Sequence, residues 1–519
     1  PTDWDGLAQN LPMAAFHVQN GDIAPIETPY RGIRAYPQGG ALLLAYTMLL
    51  SGSDTAVDLV QFPFWLMGTL AVYALARELA ASRANAPAGA LLFAAAPVVM
   101  LQARTAYFDL EVAAIALAAL ALLLDRQVGL RPRAVVAGAA AGLLAGLKYA
   151  GLIYALVLLV LLVLALVVER IPRRTAGAAV AGYLGAALVL GGCWYAWNIA
   201  GYQNPLWPMQ LDLGGRTILP GVWTSGTFYE GAAPELIAAR PYLASLIAVW
   251  REPTARYAAD VRLGGLGPLW LTLGLPALLL FTGQMVYRLL RLQGALNARS
   301  PEHPERSDRP GLAWLVERSR RGDRTNPATG PDLLVQGGLL LFILVTFLLT
   351  PANWHTRYVL APVGATGACV AVMLEQFARP LQAMLRGLAA AFACLMLLVV
   401  PVHGAGAPVD VIRNVQLPPD WRRTAFMADV PTMNDALRWA EQNIPAGSPV
   451  LYGWEGVILY PLFGPGRQNE LHYFGSGVSG DFAVVRTGSA EAAAALQDAA
   501  WTQVFASGSY LVYARADHE

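Results

Sequence analysis

Long, nearly uncharged stretches separated by short polar turns set the layout of this chain. Ten such runs lie at about 57–79, 86–104, 110–125, 134–150, 152–168, 175–197, 264–288, 333–350, 357–376 and 383–402. At a rise of 1.5 Å per residue, about 20 residues cross the roughly 30 Å of hydrocarbon in a bilayer. Lipid offers no partner to a bare N–H or C=O, so each run is predicted to be an α-helix. A shorter apolar stretch, 38–51, begins Gln38-Gly39-Gly40 after Pro37 and predicts an interfacial helix.

The polar turns carry the orientation. Arg77 and Arg83, then Arg126, Arg131 and Arg133, then Arg170, Arg173 and Arg174 occupy alternate turns. The insertion 288–332 and the turn near Arg379 and Arg386 continue the series. Arginine collects in short cytoplasmic loops, and a ten-helix count places all five groups on one side. The other side then owns three regions: an opening segment 1–56 with interfacial helices, a loop 198–262, and a tail 403–519. In the tail, Thr432–Asn443 is patterned as a helix and ends before Pro445 and Gly447, while Val450–Tyr452 and Tyr510–Tyr513 read as strands. The expected fold is therefore mainly α: a multi-pass transmembrane bundle over 57–402 with a small exoplasmic α/β domain over 403–519. The insertion 288–332 reads as a polar linker. No internal repeat of the kind that builds many transporters is evident.

Composition agrees with lipid as the main solvent, since 56% of the 519 residues are hydrophobic, 14% are charged and the mean hydropathy is +0.45. A net charge of +1 excludes bulk neutralisation of nucleic-acid phosphates, so no nucleic acid is expected as a partner. Cys193, Cys369 and Cys394 lie inside apolar runs without CxxC spacing and read as small core hydrophobes. Lys148 is the only lysine among 36 basic residues. That bias fits a GC-rich bacterial gene, and with it a multi-pass protein of the bacterial plasma (inner) membrane. Pro1 is not an initiator residue, which points to a longer gene product.

Candidate chemistry concentrates on the arginine-poor side, where Arg104, Asp109, Glu111, Lys148, His355 and Arg357 stand at or near helix ends. Ionisable groups at that depth are costly and are usually kept for a site. Snorkelling cations and a structural salt bridge among Arg104, Asp109 and Glu111 would explain some of them without function. Asp5 precedes an amphipathic stretch, where a plain helix-capping role is also open. An acid before an interfacial helix, an acid pair after a long span and cations on three turns of the same face are together suited to an anionic lipid phosphate beside a general base. No HExxH, P-loop, CxxC or GxSxG context supports metalloprotease, NTPase, thiol-redox or serine-hydrolase chemistry.

Several short motifs, in order, resemble those of GT-C-type membrane glycosyltransferases, which use polyprenyl-phosphate sugars and include protein O-mannosyltransferases and the lipid A aminoarabinose transferase. They are Trp4-Asp5-Gly6-Leu7 with Leu11-Pro12 and Gln19-Asn20-Gly21, Tyr36-Pro37-Gln38-Gly39, Gln102-Ala103-Arg104-Thr105-Ala106-Tyr107-Phe108-Asp109, and Gly146-Leu147-Lys148. Trp194-Tyr195-Ala196-Trp197-Asn198, Asn204-Pro205-Leu206-Trp207-Pro208 and Arg357-Tyr358 complete the series. The resemblance implies a further helix upstream. It also implies an inverting displacement at the anomeric carbon of a lipid-linked sugar, with Asp5, or its neighbour Asp3, as the base. Arg104, Lys148, Arg357 and His355 would then hold the phosphate, while Asp109, Glu111 and Asp3 would support the sugar, the acceptor or a divalent cation. The implied partners are a polyprenyl-phosphate-linked sugar, membrane lipids and an acceptor that is protein, lipid or glycan. A non-catalytic subunit of a membrane complex and a lipid or solute transporter stand as rival readings.

Overall fold

The computed structural model describes residues 5–224, 250, 257, 264–297, 333–350, 352–403, 431–453, 458–464 and 466–516. Asp3, most of the 198–262 loop, most of the 288–332 insertion and the start of the 403–519 tail lie outside them.

All ten apolar runs are helical. Among the described residues, seven helical spans are long and apolar enough to cross a membrane: Val57–Glu78, Leu130–Leu147, Gly151–Val168, Arg173–Tyr202, Trp270–Arg291, Thr356–Leu374 and Arg379–Val400. They contain or overlap, in turn, α4 (Phe62–Glu78), α8 (Leu130–Leu147), α9 (Gly151–Val168), α10 (Arg173–Tyr202), α11 (Leu275–Asn297), α13 (Leu360–Leu374) and α14 (Arg379–His403), with α4 and α13 extended at their starts by the short helical turns that precede them. Two more, α7 (Asp109–Leu124) and α12 (Leu333–Leu349), have 16 and 17 residues and fall about a turn short. The run 86–104, predicted as one span, is broken into α5 (Ala86–Ala94) and α6 (Pro97–Gln102). Pro97 causes the break: it opens α6, and its ring drives Ala96 out of helical geometry to φ −60°, ψ 125°.

The central element is α13, entered through a tight turn at Thr356–Val359 and buried along its length. It packs against α4, α5, α7, α11 and α12. In lipid, helices associate through close packing rather than hydrophobic exclusion, and small residues permit it. A Cβ on Gly89 of α5 would overlap the Gly367 carbonyl of α13, and one on Gly138 of α8 would overlap Tyr183 of α10. Gly89→Val is therefore expected to lower stability by about 1–3 kcal/mol through overpacking. Thermal unfolding in detergent would register this, while Gly177→Ala on α10, with open space around it, should leave the transition in place. The outer helices α10 and α14 turn Leu188, Val189, Leu395 and Leu398 outward, as lipid-facing surfaces do.

A second core lies at one end of the bundle. The opening segment forms a wide turn (Gly6–Asn10), then α1 (Leu11–Asn20), α2 (Arg31–Ala35) and α3 (Gly39–Ser51), the helix predicted over 38–51. The C-terminal segment adds α15 (Pro431–Asn443), α16 (Ala490–Gln497) and a mixed sheet in the order β4-β3-β5-β7-β6. Its strands are β3 (Pro449–Tyr452), β4 (Glu470–Tyr473), β5 (Phe482–Arg486), β6 (Trp501–Ser507) and β7 (Tyr510–Arg515). Within it β3 runs parallel to β4 and β5, and β7 runs antiparallel to β5 and β6. Leu11, Phe16, Leu44 and Met48 share one buried cluster with Leu437, Tyr452, Phe463 and Val512, so the two chain ends fold on each other. Gln19 fixes the junction: its Oε1 accepts from the Leu471 N–H at 2.9 Å and its Nε2 donates to the Leu471 carbonyl at 3.3 Å. Tyr460 donates to Asp54 Oδ2 at 2.9 Å. In the 198–262 loop, β1 (Leu211–Leu213) and β2 (Arg216–Leu219) form a hairpin turned at Gly214-Gly215, where φ is +57° and +75°.

Candidate active site

The second core holds the opening segment against three helix ends. Asn10 Nδ2 donates to the Ala106 carbonyl at 2.8 Å, tying the entry to α1 to the turn before α7. Gly39 and Gly40 let α3 approach closely, because a Cβ on the first would lie 2.8 Å from the Gly146 carbonyl oxygen and one on the second 2.5 Å from the Phe108 ring. Tyr149, just beyond α8, donates to the Ala35 carbonyl at 3.0 Å, and Asn198 of α10 donates to the same oxygen at 2.9 Å. Asn204 holds the following loop, donating to the Met209 and Pro220 carbonyls at 2.8 Å each. His17, Gln38 and the Ile33 carbonyl form a buried chain of hydrogen bonds that sets the turn between α2 and α3.

These ties surround a cavity of about 270 Å³ whose wall includes Asp5, Asp109, Lys148, Tyr36, Tyr107 and Tyr358. Its charged groups form a chain. Lys148 Nζ lies 2.8 Å from Asp109 Oδ1, Asp109 Oδ2 lies 3.4 Å from an Arg357 guanidinium nitrogen, and a second nitrogen of Arg357 lies 2.8 Å from Asp5 Oδ2. The Arg357 guanidinium lies over the Tyr107 ring at 4.5 Å and the Tyr358 ring at 4.8 Å, and Lys148 Nζ lies over Tyr358 at 4.3 Å. Rings stabilise a cation once water is removed. Arg357 is thus fixed by two carboxylates and two rings, with 5% of its side chain exposed. Asp5 and Lys148 reach open space, with side chains 37% and 27% exposed. Burial holds the Tyr36 hydroxyl well above its usual pKa, so at neutral pH it keeps its proton and can donate to a ligand.

The structure therefore gathers Asp5, Asp109, Lys148 and Arg357 from four distant parts of the chain. Of these, Asp5, Asp109 and Lys148 line the cavity and Arg357 stands behind the wall against both carboxylates; other predicted residues are not on the wall. Arg104, expected beside the phosphate, is half-buried in the turn between α6 and α7 and is not a wall residue. His355 packs between Trp354 and Tyr358, with ring centroids 5.6 and 4.7 Å away, and is not on the wall either. Glu111 lies in the first turn of α7, fully buried, and neither of its carboxylate oxygens has a partner among the described residues. Glu111→Gln is accordingly expected to leave the melting temperature unchanged or higher, because no hydrogen bond among the described residues is lost and a side chain that cannot ionise replaces one whose charge would be costly to bury. A clear drop in the melting temperature would mean that Glu111 has an essential partner.

A divalent cation does not suit this donor set. Both Asp109 oxygens face cations, Asp5 faces Arg357, and two positive groups already balance two carboxylates. Among the described residues no three His, Cys, Asp or Glu side chains cluster as metal ligands. The aromatic walls Tyr36, Tyr107 and Tyr358 were absent from the predicted site, although each stands inside one of the motifs that marked it.

The bundle, with its site at the junction of helix ends and opening segment, has the GT-C membrane fold. It is similar to ArnT from Cupriavidus metallidurans in the apo state, with a TM-score of 0.53, 14% identity, and coverage of 98% of this chain and 93% of that one. The same ArnT bound to undecaprenyl phosphate gives 0.53 and 15%, covering 99% of this chain and 94% of that chain. No protein-family model and no curated protein sequence matches the chain.

Proposed function

We propose that this protein is a membrane glycosyltransferase that moves a sugar from a polyprenyl-phosphate donor to an acceptor on the extracytoplasmic face. The observation that carries this reading is the charge chain at the cavity, in which Asp5, Asp109 and Lys148 line the wall, Arg357 links the two carboxylates from behind it, and the partly exposed Lys148 and Asp5 form the two ends. A ligand-bound structure with the same fold carries undecaprenyl phosphate, a lipid of the class the cavity would take.

In this reading the donor phosphate meets Lys148, a compact point charge that gives up part of its contact with Asp109 to an incoming anion. Arg357 acts from behind the carboxylates, holding Asp5 and Asp109 in place and adding positive potential. An acceptor hydroxyl beside Asp5 attacks the anomeric carbon from the face opposite the phosphate. The new C–O bond forms as the bond from the anomeric carbon to the phosphate oxygen breaks, and the electron pair leaves with the polyprenyl phosphate. The hydroxyl proton passes to the Asp5 carboxylate, and the anomeric configuration inverts. Tyr36 and Gln9 line the same cavity, and in this reading their polar tips orient sugar hydroxyls.

A charge-assisted contact to phosphate contributes about 1.5–3 kcal/mol. Lys148→Gln is therefore expected to slow transfer by roughly tenfold to a hundredfold. The test is mass spectrometry of lipids extracted from the purified protein. A polyprenyl phosphate, free or glycosylated, should accompany the wild type and be depleted in Lys148→Gln, whereas its absence from both would remove this reading.

A further inference from the structure

The bundle has a second polar opening, at the end opposite the active cavity. Helices α7, α8 and α9 each have one end at the cavity, at Asp109, Leu147 and Gly151, and their far ends meet at Arg126, Arg133 and Glu169. There a cleft of about 210 Å³ opens between α7, α9 and α12. On α9 it runs from Glu169 to Leu161 and on α12 from Leu333 to Leu341, a depth of about 12 Å at 1.5 Å per residue. Its mouth is charged, and its length is lined by leucine, valine, alanine and glycine.

Among the described residues the charges at the mouth do not balance. Arg126 Nε pairs with Glu169 Oε1 at 3.2 Å, so the one wall carboxylate is already engaged. Arg133 is only 5% exposed and donates one hydrogen bond, 3.1 Å to the Leu123 carbonyl, and its Nε has no partner among the described residues. The two turns that frame the mouth, 125–133 and 169–174, hold six arginines against Asp125 and Glu169. Asp125 Oδ1 meanwhile accepts from the Gln127 N–H at 2.7 Å. A buried arginine without a matching anion is costly next to hydrocarbon, and an anion supplied from outside relieves that cost.

We propose that this cleft is a binding site for an anionic glycerophospholipid of the surrounding bilayer. The lipid's phosphate sits against Arg133 and Arg126, and part of one acyl chain fills the apolar length between α9 and α12. The shape matches an amphiphile: cations at one end, and then two helical turns of apolar wall. Basic pockets between transmembrane helices on the arginine-rich side bind anionic headgroups by this physics. The site is separate from the active cavity, and the inference stands whether or not sugar transfer is the protein's activity.

The test is native mass spectrometry of the delipidated full chain titrated with dioleoyl phosphatidylglycerol and, separately, with dioleoyl phosphatidylcholine. The proposal expects one phosphatidylglycerol retained at least tenfold more tightly than phosphatidylcholine. Arg133→Gln should cut that retention about tenfold and Arg133→Lys should keep part of it. Ala165→Phe, which fills the cleft without touching a charge, should abolish it. Asp5→Asn, at the other end of the bundle, should leave it unchanged. Equal retention of the two lipids, or full retention in Arg133→Gln and Ala165→Phe alike, would overturn the proposal. Displacement of the lipid by millimolar inorganic phosphate would also overturn it, because it would show a site for the ion rather than for the amphiphile.

Discussion

Asp5→Asn is expected to give a folded protein that retains its donor lipid and transfers sugar at 10²- to 10⁴-fold below the wild-type rate, the usual contribution of a positioned general base. The asparagine keeps the shape of the side chain and an oxygen for Arg357, which stays paired with Asp109 at 3.4 Å. Folding should therefore survive, since Asp5 is 37% exposed and surrenders one contact at the edge of the cluster. What is lost is the capacity to accept a proton from the acceptor hydroxyl. Single-turnover transfer from a bound donor separates the two roles. Loss of the chemical step with the lipid retained fits the proposed base, and an unchanged rate would remove Asp5 from the mechanism.

Asp109→Asn should act mainly on stability. Asp109 has 6% of its side chain exposed and joins Lys148 to Arg357, so the substitution leaves two cations facing each other across a neutral amide. Breaking a buried pair by removing one partner costs about 3–5 kcal/mol, enough to consume much of a typical folding free energy. The expected result is a large fall in melting temperature in detergent. Lys148→Gln alone should cost less, because Lys148 is 27% exposed and its loss leaves Asp109 paired with Arg357. The double variant should lose less than the sum of the two single losses, the signature of residues in direct contact. Full additivity would place Asp109 and Lys148 in separate environments.

How much of this was legible beforehand depended on the range of the signal. Helix positions depend on local hydrophobicity, so ten runs, the interfacial helix at 38–51 and the helix at 432–443 all have counterparts in the structure. The break at Pro97 was readable in principle, since proline restricts its neighbour, but the surrounding apolar run concealed it. Strands β4 and β6 carry no clear signal because Glu470–Tyr473 and Trp501–Ser507 mix exposed polar and apolar residues without clean alternation, and only pairing in the sheet defines them. Strand β5, Phe482–Arg486, is a short buried apolar run, which periodicity alone does not tell from a piece of helix.

The site divided in the same way. Asp5, Asp109, Lys148 and Arg357 stood out because charge near a membrane helix end is costly and visible in a sequence. Arg104 carried the same signal yet is not among the wall residues, since a helix-end position does not reveal direction when the helix is as short as α6. The aromatic wall was invisible for a different reason: tyrosines at 36, 107 and 358 are ordinary in apolar contexts, and their role arises only from the cations they flank. The fusion of the opening segment with the C-terminal sheet into one core joins residues more than 400 positions apart, as Gln19 with Leu471 shows, and no local pattern reports such pairing.

Where a lipid phosphate binds on this protein is the most direct test of the proposed transfer. A structure of the protein in a nanodisc with undecaprenyl phosphate should show the phosphate in the cavity within hydrogen-bond distance of Lys148 Nζ, with the Asp5 carboxylate facing the space beyond it. Phosphate density elsewhere on the molecule, with Lys148 still paired to Asp109 in a cavity the lipid does not enter, would contradict it.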